Sequence, residues 1–262
     1  MRKKRLIYAI LSLILSLFVY YFTYKFPSDN DILLYFMIGL ILVPNFTMRK
    51  TEKNLILSIM GTYAINCDAK AYLKNIQKYY KECFFTKKAK HYQNVTLAMI
   101  NMDLGQFEEA KKLLMEVVET VDKFNDFQKY NYYRAWTTYY FEFKEYNHMK
   151  VLVDEMQKIV DRANGEVKIQ LLSNFLIVQA KYFIGEGIYL DKAKSVYNDV
   201  LTKNTPPILR LSAHYYLGLI NFKSNNFEKA KEEFKYVSCS EKNLYLVEKS
   251  KKYLEVIENI NN

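Results

Sequence analysis

The sequence predicts an all-α chain: an N-terminal transmembrane helical hairpin, then an α-solenoid of about four helix-pair repeats with a capping helix at its end. Three observations lead there. Gly and Pro are scarce, seven and four in 262 residues, which argues against a turn-rich β fold. Two long uncharged stretches, residues 6–24 and 32–48, stand near the N-terminus. Between residues 91 and 240 one pattern recurs: an apolar segment, a short polar turn, then an amphipathic segment.

The first stretch follows the basic start MRKKR and holds nineteen residues. At a rise of about 1.5 Å per residue it is close to the thickness of a bilayer core. A cleaved signal peptide would show a small-x-small site after a shorter apolar run; here Phe18 to Tyr24 is bulky throughout. Tyr20, Tyr21 and Tyr24 suit the far interface as an aromatic belt. A polar link with Pro27 leads to the second stretch, which is seventeen residues long and carries Pro44. Arg49, Lys50 and Lys53 follow at once. Basic residues therefore flank both outer ends, and the positive-inside rule places both in the cytoplasm. The reading is an integral membrane protein with residues 1–49 as a two-span anchor and the repeat domain cytoplasmic. The alternative is a single N-terminal anchor, with 32–43 in a soluble core, and an outward-facing or anionic-lipid-binding envelope structural protein.

Residues 50–90 read as a basic helical connector or a degenerate repeat. Lys70, Lys74, Lys78 and Lys81 share one side of a helix. Such a run is commonly a solvated face. Beside a cytoplasmic leaflet it also attracts anionic lipid, at about 1 kcal/mol per residue.

Residues 91–262 hold the array. Ser212 to Val237 shows the unit best: Leu217-Gly218 in an apolar helix, the turn Lys223 to Asn226, then Phe227, Ala230, Phe234 and Val237 on one face of a second helix. A turn asparagine suits the N-cap of that helix. Leu97-Ala98 with Phe107, Ala110 and Leu114 repeats the unit, as do Trp136-Thr137 with Tyr146, Met149 and Val153, and Ala180 with Leu190, Ala193 and Tyr197. These residues resemble the tetratricopeptide repeat (TPR) family, whose helix pairs place a small residue in helix A and aromatic–x–x–Ala at the start of helix B. The second unit departs at Thr137 and Met149, and the third carries one extra residue before Ala193. The spacings of 39, 44 and 37 residues between Ala110, Met149, Ala193 and Ala230 exceed the family's length of about 34. Residues 243–260 are amphipathic and read as the helix that caps the open end.

The resemblance implies a concave groove lined by the A helices. Its register carries over to Tyr92, Met99 and Met102 in the first unit and to Asn131, Arg134, Thr138 and Phe141 in the second. The third contributes Asn174, Ile177 and Lys181, and the fourth Tyr215, Leu219 and Phe222. A protein or peptide segment is the implied partner, and the aromatic and methionine content suits one. The family's carboxylate clamp of Lys, Arg and Asn is not reproduced. The competing view is that many of these aromatics fill the stack.

No catalytic constellation, cofactor motif or metal-ligand spacing emerges, so the expected role is a non-catalytic scaffold or adaptor. His91, His148 and His214 are far apart in sequence, and His214 falls where the family has a bulky core residue. Cys67, Cys83 and Cys239 form neither a disulfide framework nor a metal motif. The net charge of +10 comes with no nucleic-acid-binding motif, and an anchored topology accounts for much of it.

Overall fold

The structure, a computed structural model, describes residues 10–11, 13–14, 16–18, 20–21, 24–25, 50–82, 87–240 and 242–261. It is helical, with no strand among the described residues. The chain divides into two compact units, Met1–Gly61 with Asn75–Phe84, and Thr62–Lys74 with Phe85–Asn262. Among the described residues from 50 onward the α-helices are α1 (50–66), α2 (Ala69–Glu82), α3 (Lys87–Asp103), α4 (Phe107–Met115), α5 (Asp126–Glu142), α6 (Tyr146–Arg162), α7 (Gly165–Glu186), α8 (Leu190–Thr202), α9 (Pro207–Lys223), α10 (Phe227–Ser238) and α11 (Tyr245–Asn261).

In the first unit every described residue between 10 and 25 is helical, and the large apolar side chains described in that stretch, from Ile10 to Tyr24, are exposed. No helix among the described residues is long and apolar enough to cross a membrane. The expected second span, 32–48, lies outside the described residues, and the first, 6–24, is described only in part. Cys83 also lies outside them.

The second unit is built of four successive helix pairs: α3/α4, α5/α6, α7/α8 and α9/α10. All four use the same turn. Gly105, Lys144, Gly187 and Asn225 each take the left-handed conformation, with φ between 55 and 76°. The following residue donates its N–H five residues back in every case: Gln106 to Asn101, Glu145 to Tyr140, Ile188 to Phe183 and Asn226 to Asn221, at 2.7–3.0 Å. This is the Schellman ending, which satisfies the last carbonyls of the first helix and sends the chain back antiparallel. The extra residue of the third pair is Tyr189, itself left-handed at φ 48° and placed just before α8. Asn226 caps α10 by accepting from the Lys229 N–H. Asn125 and Gln128 form a reciprocal capping box at α5. In the first pair α4 is short, and a 3₁₀ turn, Val118–Lys123, completes the path to α5.

In three of the pairs small residues sit where the helices meet, and in the second Thr137 and Met149 take those places. Ala110, Met149, Ala193 and Ala230 are fully buried at the starts of the second helices, and Ala98, Thr137 and Ala180 are buried in the first. At Gly218 the approach is close: a Cβ there would lie 2.6 Å from the Phe234 ring. The first helices pack side by side, α3 on α5, α5 on α7 and α7 on α9. The terminal helix α11 packs on α10, as expected of a cap, and also reaches back to α3. Tyr245 lies edge-on to Phe107 at 4.9 Å, and its hydroxyl donates to Glu142 Oε1 at 2.5 Å. Lys249 donates to the same oxygen at 2.7 Å. The far end of the array is thereby tied to the turns of its first two pairs. Residues 62–74, read from sequence as part of a connector, belong to this unit: Cys67 and Ala69 are buried in the cluster that also holds residues of α9, α10 and α11.

Candidate binding cleft

The row of first helices encloses a cleft of about 270 Å³. Helical spacing builds its walls. Met99, Met102 and Asp103 come from α3, Arg134 and Thr138 from α5, and Asn174, Ile177, Val178 and Lys181 from α7. From α9 come Ile208, Leu209, Ser212, Ala213 and Tyr216. Tyr197 and Val200 of α8 and Tyr63 of α1 complete the lining. Each set repeats at three to four residues, the period that keeps side chains on one helix face.

Seven of the thirteen residues assigned to the groove from sequence meet here: Met99, Met102, Arg134, Thr138, Asn174, Ile177 and Lys181. The other six lie outside the lining, and one of them, Leu219, is buried in the core. Tyr92 accepts from Asn131 Nδ2 at 3.1 Å and stands edge-on to Phe124. Asn131 also donates back to the Phe127 carbonyl. Phe141 sits behind the wall, edge-on to Tyr216 at 5.8 Å, so it supports a lining ring rather than facing the cleft. Tyr215 is buried against Phe234. Phe222 packs on Phe227 and Tyr253. In the fourth pair the face toward the cleft thus carries Ser212 and Tyr216, one position on from Tyr215.

The electrostatics of the cleft are unusual. The Arg134 Nε is shut off from solvent and has no hydrogen-bond partner. Its Nη2 makes only a long contact, 3.5 Å, to Met99 Sδ. Burial pulls the guanidinium below its ordinary pKa, while nearby Tyr130, Tyr92 and Asp103 act to restore it. The Lys181 ammonium lies 4.9 Å over the Tyr216 ring, a cation–π contact. Neither cation forms an ion pair among the described residues. Asp103 is the one carboxylate in the lining, and its Oδ2 accepts from the Tyr63 hydroxyl at 2.6 Å. Burial raises the Asp103 pKa. The Tyr63 hydrogen bond and the charges of Lys181 and Arg134 oppose that rise without cancelling it. Tyr63 is in turn pushed far up, first by burial and then by Asp103; it also stacks on Tyr72 at 4.4 Å.

Three hydroxyls of the lining donate to main-chain carbonyls: Ser212 to Ile208, Thr138 to Arg134 and Tyr197 to Ile177. The cleft offers two cations beside apolar surface. The histidines lie elsewhere. His91 pairs with Thr120, His148 with Glu145 at 3.0 Å, and His214 with Glu233 at 2.6 Å. His214 is half-buried rather than a full core residue. No metal-holding cluster occurs among the described residues. Cys67 is buried and Cys239 exposed.

No protein-family model matches the chain, and neither a curated protein nor a solved structure matches it.

Proposed function

We propose that this chain is a membrane-anchored, non-catalytic scaffold of the TPR type, which takes a protein segment on the face formed by its first helices. The observation that carries the reading is the cleft on that face, lined by residues from all four helix pairs and furnished with two cations that have no ion-pair partner. Four turns with the same hydrogen bond and four successive helix pairs support a repeat array. Residues 6–24 supply the first span and 32–48 the second, with the array on the cytoplasmic side. The apolar side chains described between Ile10 and Tyr24 are exposed, as a lipid-facing helix requires.

A second reading concerns α2. Lys70, Lys74, Lys78 and Lys81 are all exposed, while Ala69, Tyr72, Ile76 and Tyr79 are buried. That division suits a basic face laid on anionic lipid and is compatible with either orientation of the array.

Two experiments test the proposal. A reporter fused after Asn262 should read cytoplasm and one inserted near Ser28 the opposite side; a C-terminal reporter active outside would end the two-span arrangement. Once a partner is in hand, Arg134→Ala should weaken it by about tenfold or more, or ~1.4 kcal/mol, with the thermal midpoint near wild type. Unchanged partner affinity would remove the cleft from the interface.

A further inference from the structure

The cleft has a shape and a charge that specify more than a generic binding face. Its volume of about 270 Å³ is equivalent to about nine waters in the liquid. That is near the lower end of the few hundred to a thousand Å³ of most ligand pockets. It draws on all four pairs, but Tyr92, Asn131 and Phe222 lie outside its lining. Tyr63 comes from outside the four pairs to form part of the wall, held by its bond to Asp103. Such a space suits a compact molecule.

The charge is just as selective. With Asp103 ionised, Arg134 and Lys181 leave the lining one positive charge in excess, and with Asp103 protonated they leave two. The Arg134 Nε is a buried donor with nothing to donate to, a costly state that a bound acceptor would relieve. Lys181 holds its ammonium over a ring rather than on a carboxylate. Met99, Ile177, Val200, Leu209 and Tyr216 supply apolar or aromatic wall, and Thr138, Asn174 and Ser212 are the neutral polar residues among them.

We propose that this cleft is a site for a small amphipathic carboxylate, its anion held between Arg134 and Lys181 and its apolar body against Ile177, Leu209 and Tyr216. The site makes the array a ligand-responsive element, because residues from all four helix pairs close on one molecule. The proposal goes beyond the protein-segment reading and does not require it.

The test uses the full chain in nanodiscs of zwitterionic lipid, with phenylacetate as probe and phenylacetamide as its uncharged isostere, followed by equilibrium dialysis. Phenylacetate should bind saturably, one per chain, and at least tenfold more tightly than the amide. Acetate, which has the anion without the ring, should compete at least tenfold less well. Lys181→Met and Arg134→Gln should each weaken phenylacetate tenfold or more, while Lys192→Met, a lysine outside the cleft lining on the Tyr189 ring, should leave it unchanged. Should Arg134→Gln fail to fold, Lys181→Met decides the matter. Non-saturable uptake, equal binding of acid and amide, equal competition by acetate, or undiminished binding by folded Lys181→Met would each overturn the proposal. A negative result here leaves the protein-segment reading to its own experiments, which follow a captured partner.

Discussion

Gly218→Ala tests the packing of the best-formed helix pair. Gly218 sits within α9, where alanine would ordinarily stabilise a helix by about 0.5–1 kcal/mol. The added Cβ would lie 2.6, 2.8 and 2.9 Å from three atoms of the Phe234 ring. Ordinary carbon contacts begin at about 3.5 Å, so the ring or the helix must move by ~0.9 Å. Phe234 cannot move cheaply. It is fully buried and stacked on Tyr253 at 4.8 Å, with Tyr215 tilted against it at 6.1 Å. Overpacking of this kind costs about 1–3 kcal/mol, which exceeds the propensity gain and leaves a net loss of about 1–2 kcal/mol. For a unit of this size that corresponds to a fall in thermal midpoint of roughly 2–8 °C. In a Phe234→Leu background the same substitution should cost much less, because the ring it meets is gone, and the double-mutant cycle should show that coupling. A rise in midpoint for Gly218→Ala would refute the close approach of α9 and α10.

Further expectations follow from strain and titration. Lys144 holds a left-handed conformation that glycine adopts freely, so Lys144→Gly should raise stability by about 1 kcal/mol, read by denaturant unfolding; a loss would place the strain elsewhere. Asp103 keeps its proton in the fold at pH values where the unfolded chain, near pKa ~3.9, has released it. Its contribution to stability is therefore present at low pH and declines as pH rises through the raised value. Tyr63, Arg134 and Lys181 all face this carboxyl, and Asp103→Asn keeps an acceptor for Tyr63. Thermal midpoints across pH 4 to 8 should fall less steeply for Asp103→Asn than for wild type, and parallel curves would mean that Asp103 titrates as it does in the unfolded chain.

Local pattern carried much of the fold into the sequence. The apolar spacing of α10 and the asparagines before it were legible, and Asn226 does cap that helix. The common turn was hidden because its left-handed position holds four residues of three types, Gly105, Lys144, Gly187 and Asn225; only the backbone reveals their equivalence. Register on α3, α5 and α7 could be read only in part: Met99, Arg134 and Lys181 meet the cleft, but Tyr92, Asn131 and Phe141 do not. On α9 it could not: the helix is apolar nearly all round, so nothing in the periodicity separates Tyr215, which meets Phe234, from Tyr216, which meets the cleft. Long-range pairings were beyond reach for a different reason. The Tyr63–Asp103 bond joins residues 40 apart, and the Tyr245–Glu142 bond joins residues 103 apart. No local rule couples such positions. A lone Asp at the end of an apolar helix and a Tyr after Gly61 carry no signal of each other.

The most direct test of the array as a binding face is site-specific photocross-linking in intact cells. A photoreactive residue replaces Asn174, which lines the cleft, or in a second strain Lys150, which is exposed on α6 and outside the lining. Asn174 should yield discrete protein adducts that diminish when Arg134→Ala is added, and Lys150 should yield few. Equal adduct patterns from the two positions, or Asn174 adducts indifferent to Arg134→Ala, would contradict the assignment of this face.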